Sequence, residues 1–467
     1  MGIRPWPMKP YILNADCLVA LKELPDNSVD LIVTDPPYGM SFMGKDWDKA
    51  VPSVEIWSEC LRVLKPGAFA FVMCIPRQDC LAHMIVNLSD AGFETGFTSM
   101  YWTYASGFPK AGNIGKQVDK QLGAERTEFH TKPIAYPDSN CWSIPNKNSL
   151  QPQWGIGSQG KHKNQDGKGN VIISKAKSPE AKALDGSYAG FQPKPAVEVI
   201  LVCMKPLSKK TYVEQALYNG KGITWLDDCR VPYESDGDKE KHIAGANSKR
   251  LAKLGTFQQS KELIPDKINI QQGRFPANLL VSDDVLNDGE YRHGAGKARE
   301  AEIIPTNQNI KFKGEVGTNY MRYGDSGSFS RYFDLDKWYN KTFPFFITPK
   351  ASKSEKNKGC EELFWLKGKE ITEELYHKLE KENEVLPNDK KHKILWGNIH
   401  NTVKPLKLMC YLLTIASRLN DVVVDPFMGS GTTGVACKML SREFIGMDIE
   451  KEYFKIAKAR IDVAVQR

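Results

Sequence analysis

Apolar residues in this chain gather into short runs that stop at acidic, prolyl or glycyl positions. Pro10-Tyr-Ile-Leu13, Asp30-Leu-Ile-Val-Thr34, Leu64 to Cys74, Glu94 to Tyr104, Val197 to Met204, Asp421-Val-Val-Val-Asp425 and Glu443-Phe-Ile-Gly-Met-Asp448 each read as a strand, with a turn opening the third. Helical spacing appears over Gln78 to Ala91, Gly434 to Leu440 and Glu450 to Val463, the last carrying Tyr453, Phe454, Ile456, Ala457 and Ile461 as its apolar residues. Lys367 to Val385 is highly charged, and its Ile371, Leu375 and Leu379 give the narrow stripe of a helix packed on a neighbour. The pattern predicts an α/β fold: a parallel sheet covered on both faces by helices. Its ligand site is expected at the carboxyl ends of the strands, where Asp35 and Asp425 both fall.

Asp35-Pro36-Pro37-Tyr38 closes the second of these runs. A carboxylate, a proline carbonyl and an aromatic ring at a strand end suit the methylation of an exocyclic amine. Such a nitrogen is a poor nucleophile because its lone pair is delocalised into the base. Two acceptors on its N–H bonds, the Asp35 carboxylate and the Pro36 carbonyl, pull it toward tetrahedral geometry, while Tyr38 offers a face for an extruded base. The bland alternative is that Pro-Pro merely turns the chain after a strand.

A second motif weighs against that alternative. Asp425-Pro426-Phe427-Met428-Gly429-Ser430-Gly431-Thr432-Thr433 carries a strand through a glycine turn into a helix, a geometry that lets backbone approach a ligand closely. Gly429 to Gly434 is also close to the dinucleotide fingerprint, so a nicotinamide enzyme is the rival reading. The acidic Asp448 at the next strand end suits ribose hydroxyls of either adenosine cofactor. Asp35 to Tyr38 separates the two readings, having work in amine methylation and none in hydride transfer.

Together these residues resemble the S-adenosylmethionine-dependent amino DNA methyltransferases, specifically the permuted beta group, and several longer stretches look like phage and prophage N6-adenine methyltransferases. Asn14-Ala15-Asp16-Cys17 is similar to the family's segment near the cofactor, and His400-Asn401-Thr402-Val403-Lys404-Pro405 to its His-Pro-Thr-x-Lys-Pro motif. Lys194 to Leu201, Gly273 to Leu279 and Lys350 to Gly359 also match. Asn401, Ala15 and Asp448 depart from the usual proline, glycine and glutamate.

The resemblance implies a Rossmann-like S-adenosylmethionine methyltransferase fold, circularly permuted, with an inserted α+β target-recognition domain. It divides the chain into a catalytic half (1–108), a long mobile insertion (109–191), a core strand (192–205), a target-recognition domain (206–396) and a cofactor-binding half (397–467). The catalytic residues implied are Asp35, Pro36, Pro37 and Tyr38. Those for the cofactor are Asp16, Cys17, Asp35, Thr402, Lys404, Asp425, Pro426, Phe427, Gly429, Ser430, Gly431, Thr432 and Asp448. Asp448 would hold the ribose, Asp16 would lie near the adenine, and Lys404 would pair with the methionine carboxylate. The substrate implied is adenine N6 in double-stranded DNA, reached by base flipping, with S-adenosylhomocysteine as product. Cytosine N4 is the alternative acceptor, and a non-catalytic DNA-binding or regulatory protein on the same scaffold is the reading from a different class. Homodimerisation and a separate restriction endonuclease are compatible with the family. Because of the permutation, the last helix is expected to lead in space into the first strand.

Composition fits this picture without establishing it. The 467 residues support two or three domains, and 64 Lys+Arg against 56 Asp+Glu, a formal +8, favour a polyanionic partner mildly. Basic and aromatic residues interleave at Arg322-Tyr323, Arg331-Tyr-Phe333 and Lys337-Trp-Tyr339, a mixture suited to phosphate contact and base stacking. The ten cysteines include no Cys-x-x-Cys pair, so buried thiols in a reducing cytosol are expected and a metal is not. Met1 to Pro10 lacks a signal-peptide core, and no apolar stretch is long enough to span a bilayer, so a cytoplasmic protein of bacterial, phage or prophage type is expected, with no membrane partner.

Overall fold

The computed structural model describes residues 11–40, 49–103, 112–126, 129–133, 170–191, 196–233, 273–281, 351–387, 390–400 and 402–465, with short stretches at 236–237, 239–240, 292–294 and 325–327. In chain order its strands are β1 (Tyr11–Asn14), β2 (Val29–Thr34), β3 (Leu64–Cys74), β4 (Met100–Thr103), β5 (Phe129–Pro133), β6 (Asn170–Ser174), β7 (Val197–Met204), β8 (Leu279–Val281), β9 (Arg292–Gly294), β10 (Asp325–Gly327), β11 (Phe364–Leu366), β12 (Lys369–Ile371), β13 (Ile394–Trp396), β14 (Val422–Asp425) and β15 (Glu443–Asp448). They fall in two units, Met1–Tyr104 with Val197–Arg467, and Ala105–Ala196.

The larger unit is built on a mixed sheet in the order β1-β15-β14-β2-β3-β7-β4-β8. Neighbours pair in parallel except at β7, which runs against both β3 and β4. The near-continuous apolar runs have the expected cause, burial on both faces. In β3, Phe69, Phe71 and Met73 point into one core with the helices Leu406–Ala416 and Thr432–Met439. Ala68, Ala70, Val72 and Cys74 point into the other, with the helices Cys17–Lys22, Val54–Val63 and Gln78–Asp90. The helix Lys451–Asp462 follows β15 and packs beside β1, so the first described strand and the last helix meet at one edge of the sheet.

Several expected elements change place or extent. The strand expected from Glu94 shrinks to β4, and Glu94 itself makes only an isolated bridge to Met204. Within 206–396, assigned above to one recognition domain, β8 joins the main sheet as its edge beyond β4, and Cys229 lies in the main core. The β11–β13 sheet, with the helix Glu373–Val385, packs through Cys360 and Trp365 onto Ile456 of the last helix. Three-residue strands bury too little surface for a core of their own, and they close on one that exists.

The smaller unit takes in the stretch expected as an insertion over 109–191. It contains the helices Ile114–Gln121 and Pro179–Ala183 and the antiparallel pair β5 and β6. Asp119 organises it, accepting from Arg126 Nε (2.6 Å), Lys177 N (3.0 Å), Ser178 N (2.9 Å) and Ser178 Oγ (2.7 Å). A buried carboxylate with so many donors fixes the chain around it, which composition alone does not reveal. The Gly155 to Gly169 stretch and the basic-aromatic pairs at 322–323, 331–333 and 337–339 lie outside the described residues, as does Asn401. Among the described residues no helix is long and apolar enough to cross a membrane.

Candidate active site

In the sheet order, β14 is followed in the chain by β15 on one side, while β2 is followed by β3 on the other. The loops leaving β14 and β2 therefore diverge at a topological switch point, where open α/β sheets form a crevice. Thr34 and Asp425, the last residues of those strands, are joined across it by a 2.7 Å bond from Thr34 Oγ1 to Asp425 Oδ1. Asp35 follows immediately.

The Asp35 carboxylate is held by two donors. The Tyr38 hydroxyl donates to Oδ1 and the Lys404 ammonium to Oδ2. Lys404 Nζ also lies 3.3 Å from Glu198 Oε2 and 3.5 Å from the Tyr38 hydroxyl oxygen. Burial pulls the Lys404 ammonium down, but the Asp35 and Glu198 carboxylates outweigh it and hold its pKa above that of an ordinary lysine. Burial, with the same two carboxylates beside it, pushes the Tyr38 phenol well up, so it remains a neutral donor. Glu198 reaches this point because β7 is reversed: its amino-terminal end lies where the parallel strands finish.

The glycine turn is built from inside. Gly431 has φ +74° and precedes the helix Thr432–Met439, and a Cβ there would sit 2.8 Å from Ala457 Cβ. Gly429 has φ +50°, and its Cβ would meet His400 Nε2 at 2.9 Å. Both glycines are thus required by neighbouring protein as well as by backbone conformation. Asp425 Oδ1 also accepts from Phe427 N (3.2 Å) and Oδ2 from Thr433 Oγ1 (2.7 Å). Ser430 and Thr432 are buried against Arg460, whose Nη1 donates to Ser430 O (2.6 Å), Ser430 Oγ (3.1 Å) and Thr432 Oγ1 (3.0 Å). Asp448 accepts from Gly429 N (2.9 Å) and Glu450 N (2.8 Å). Burial, partly countered by those amides, pushes its carboxyl up to about 7.

Asp16 caps the helix Cys17–Lys22, its Oδ1 accepting from Leu18 N (2.9 Å) and Val19 N (3.2 Å). Burial, then the Asp16 charge, raises the Cys17 thiol to about 12, which leaves it inert. His400 is held neutral, its pKa lowered by burial to about 4; its Nδ1 accepts from Thr402 N (3.3 Å) and its ring meets Tyr453 edge-on at 4.4 Å between centroids. Phe427 is half-buried and meets Trp57 edge-on, 6.4 Å between centroids.

Of the residues singled out in the sequence, Asp35, Tyr38 and Lys404 form one contact network, in which Lys404 also reaches Glu198. Asp425, Ser430 and Thr432 spend their side chains fastening the loop. Two residues of the site had no assigned role. Glu198 was quoted only within a matching stretch; the signal for it is an acid interrupting the apolar run Val197 to Met204. Arg460 sits on the buried face of the last helix, in step with Ile456 and Ala457, and a cation on an apolar stripe is its signal.

The arrangement suits a cationic ligand. The carboxylates of Asp35, Glu198 and Asp448 lie at the strand ends, with the Lys404 ammonium beside the first two. Such a site favours a cation over a pyrophosphate, which the carboxylates would repel. Among the described residues no cluster of His, Cys, Asp or Glu is placed to hold a metal ion.

Parts of this chain are similar to known proteins. Residues 297–459 match the N6_N4_Mtase family, described as DNA methylase. The chain is 49% identical over 67 residues to the type II methyltransferase M2.LlaDCHI of Lactococcus lactis subsp. cremoris, and 48% identical over 67 residues to M2.DpnII of Streptococcus pneumoniae. Each match takes in 14% of this chain, and the chain spans only a quarter of the length of either relative. Among solved structures, the crystal structure of the M1.HpyAVI–SAM complex aligns over 97% of this chain and 99% of its own, at 15% identity and a TM-score of 0.35.

Proposed function

We propose that this chain transfers a methyl group from S-adenosylmethionine to adenine N6 of double-stranded DNA, on a base flipped out of the duplex. The observation that carries the reading is the assembly of Asp35, Pro36 and Tyr38 beside the glycine turn at the β2/β14 switch point. The match to a DNA methylase family over residues 297–459 supports it.

S-adenosylmethionine, when bound, supplies a sulfonium-activated methyl group whose bonding pair returns to sulfur on transfer. Phe427 and the backbone of Gly429 to Gly431 would hold it, with Asp448 and Asp16 at the ends of β15 and β1 beside its nucleoside. Tyr38 supports the extruded base on its ring. Asp35 Oδ2 and the Pro36 carbonyl accept the two amine hydrogens and aim the nitrogen lone pair at the methyl carbon. The nitrogen gains positive character as its bond forms, the Asp35 carboxylate stabilises it there, and one of the two amine protons then passes to solvent to leave the neutral methylated amine. Adenine is preferred to cytosine N4 because relatives with Asp at the first motif position mostly act on adenine. The order of the motifs, catalytic tetrapeptide first and glycine turn last, reads as a circular permutation, and the pairing of β1 with β15 supports it.

The test is transfer of labelled methyl from S-adenosylmethionine to unmethylated bacterial DNA, with nucleoside mass spectrometry. N6-methyladenine from the wild type, absent with Asp35→Ala while cofactor binding persists, is the expected result. N4-methylcytosine would replace the acceptor assignment. No transfer by a chain with confirmed cofactor binding would refute the reading.

A further inference from the structure

The Asp35 oxygens that must receive the amine already have donors: Tyr38 on Oδ1 and the Lys404 ammonium on Oδ2. A neutral amine N–H competes poorly with an ammonium for the same oxygen, because charge-assisted bonds are roughly twice as strong. The same ammonium has a second acceptor. Glu198 Oε2 lies 3.3 Å from Nζ, and the Glu198 side chain is 17% exposed. The root of the lysine is fixed, since Pro405 opens the buried helix Leu406–Ala416 and Glu355 Oε1 accepts from Leu406 N at 3.0 Å. The ammonium can therefore change partners by rotating its outer methylenes alone.

Building on the methyl-transfer reading, we propose that Glu198 is a positioning residue that draws the Lys404 ammonium off Asp35 when the target base enters, leaving Asp35 Oδ2 to receive the amine N–H. No bond is made and no proton moves. The ammonium shifts between two carboxylates, and Asp35 is released at the moment its acceptor is needed.

Three full-length variants test this: Glu198→Gln, Lys404→Met and the double variant. Gln cannot attract the ammonium as a carboxylate does, so Lys404 stays on Asp35. The single-turnover rate of methyl transfer at saturating cofactor and DNA should fall about tenfold to a hundredfold with Glu198→Gln, a loss confined to the transition state. S-adenosylhomocysteine affinity, measured by calorimetry, should stay within about twofold of wild type. The double variant should recover part of the Glu198→Gln loss, because nothing then blocks Oδ2.

A readout free of turnover comes from lysine-selective carbon-13 spectra, with Lys404→Met identifying the signal. Unmethylated DNA should shift the Lys404 signal in the wild type and leave it in place in Glu198→Gln. A wild-type rate in Glu198→Gln, a double variant whose loss is the product of the single losses, or a Lys404 signal unmoved by bound DNA would overturn the proposal. A wild type that shifts the signal on DNA yet transfers no methyl would keep the handover and remove the methyl-transfer reading.

Discussion

Asp425 is fully buried, and its burial, though opposed by bonds from Thr34, Thr433 and the Phe427 amide, pushes its carboxyl up from an ordinary 3.8 to about 6. The folded chain therefore binds a proton there more tightly than the unfolded chain does. The sign is the reverse of a salt-bridged aspartate: this group's contribution is fully present below the unfolded value and is lost as pH rises through the window from 3.8 to about 6. At about 1.4 kcal/mol per unit, burying this carboxyl costs the fold about 3 kcal/mol at pH 7.5, where it is ionised, and about 1 kcal/mol at pH 4.5, where the folded chain takes up a proton that the unfolded chain mostly lacks. Asp425→Asn removes that penalty while preserving shape. The amide oxygen can keep Thr34 Oγ1 and Phe427 N, and the new NH2 can donate to Thr433 Oγ1, whose hydroxyl is free to turn. Chemical denaturation at the two pH values should show Asp425→Asn more stable than wild type, with the gain larger at pH 7.5 by about 2 kcal/mol. Asp425→Ala, which leaves three donors without their acceptor, should be less stable at both by about 1–3 kcal/mol. If Asp425→Asn is destabilised equally at both pH values, the ionised carboxylate is what holds the turn and this reasoning fails.

Other substitutions probe the same framework. Gly431→Ala places a Cβ against Ala457 at φ +74°; it should lower stability by about 2–4 kcal/mol and weaken S-adenosylhomocysteine binding, and an unchanged melting temperature would mean the helix Lys451–Asp462 is not packed on the turn as seen here. Arg460→Met removes the donor from Ser430 and Thr432 and the cation beside buried Glu355; a loss of about 3 kcal/mol in stability and about tenfold in cofactor affinity is expected, and calorimetry showing wild-type affinity would deny it a part in shaping the turn. Tyr38→Phe keeps the ring and removes the hydroxyl on Asp35; DNA affinity should hold while the methylation rate falls, whereas Tyr38→Ala should lose both, the ring being worth about 1–3 kcal/mol.

The parts of the fold visible in the sequence were those whose cause is local. Runs buried on both faces announced β2, β3, β14 and β15, and the amphipathic stripe announced the helix Lys451–Asp462. Less visible were elements fixed by distant partners. β8 becomes a strand only because the β4 edge is open to it, and the β11–β13 sheet only because Ile456 offers a surface for Trp365. The small unit around Asp119 was read as loop because its order comes from four donors on one buried carboxylate rather than from apolar periodicity.

The same division runs through the site. Motif residues were legible by identity, yet identity did not say which way each side chain faces. Asp425, Ser430 and Thr432 look inward and brace the turn, and Gly431 is a glycine chiefly because Ala457 is close. What remains for a ligand is backbone, one half-buried aromatic ring and the carboxylates at the strand ends. A binding surface made that way tolerates little displacement, because backbone cannot repack as side chains do. That is a physical reason for Arg460 to be spent on the turn from behind: through Ser430 and Thr432 it holds the backbone in place.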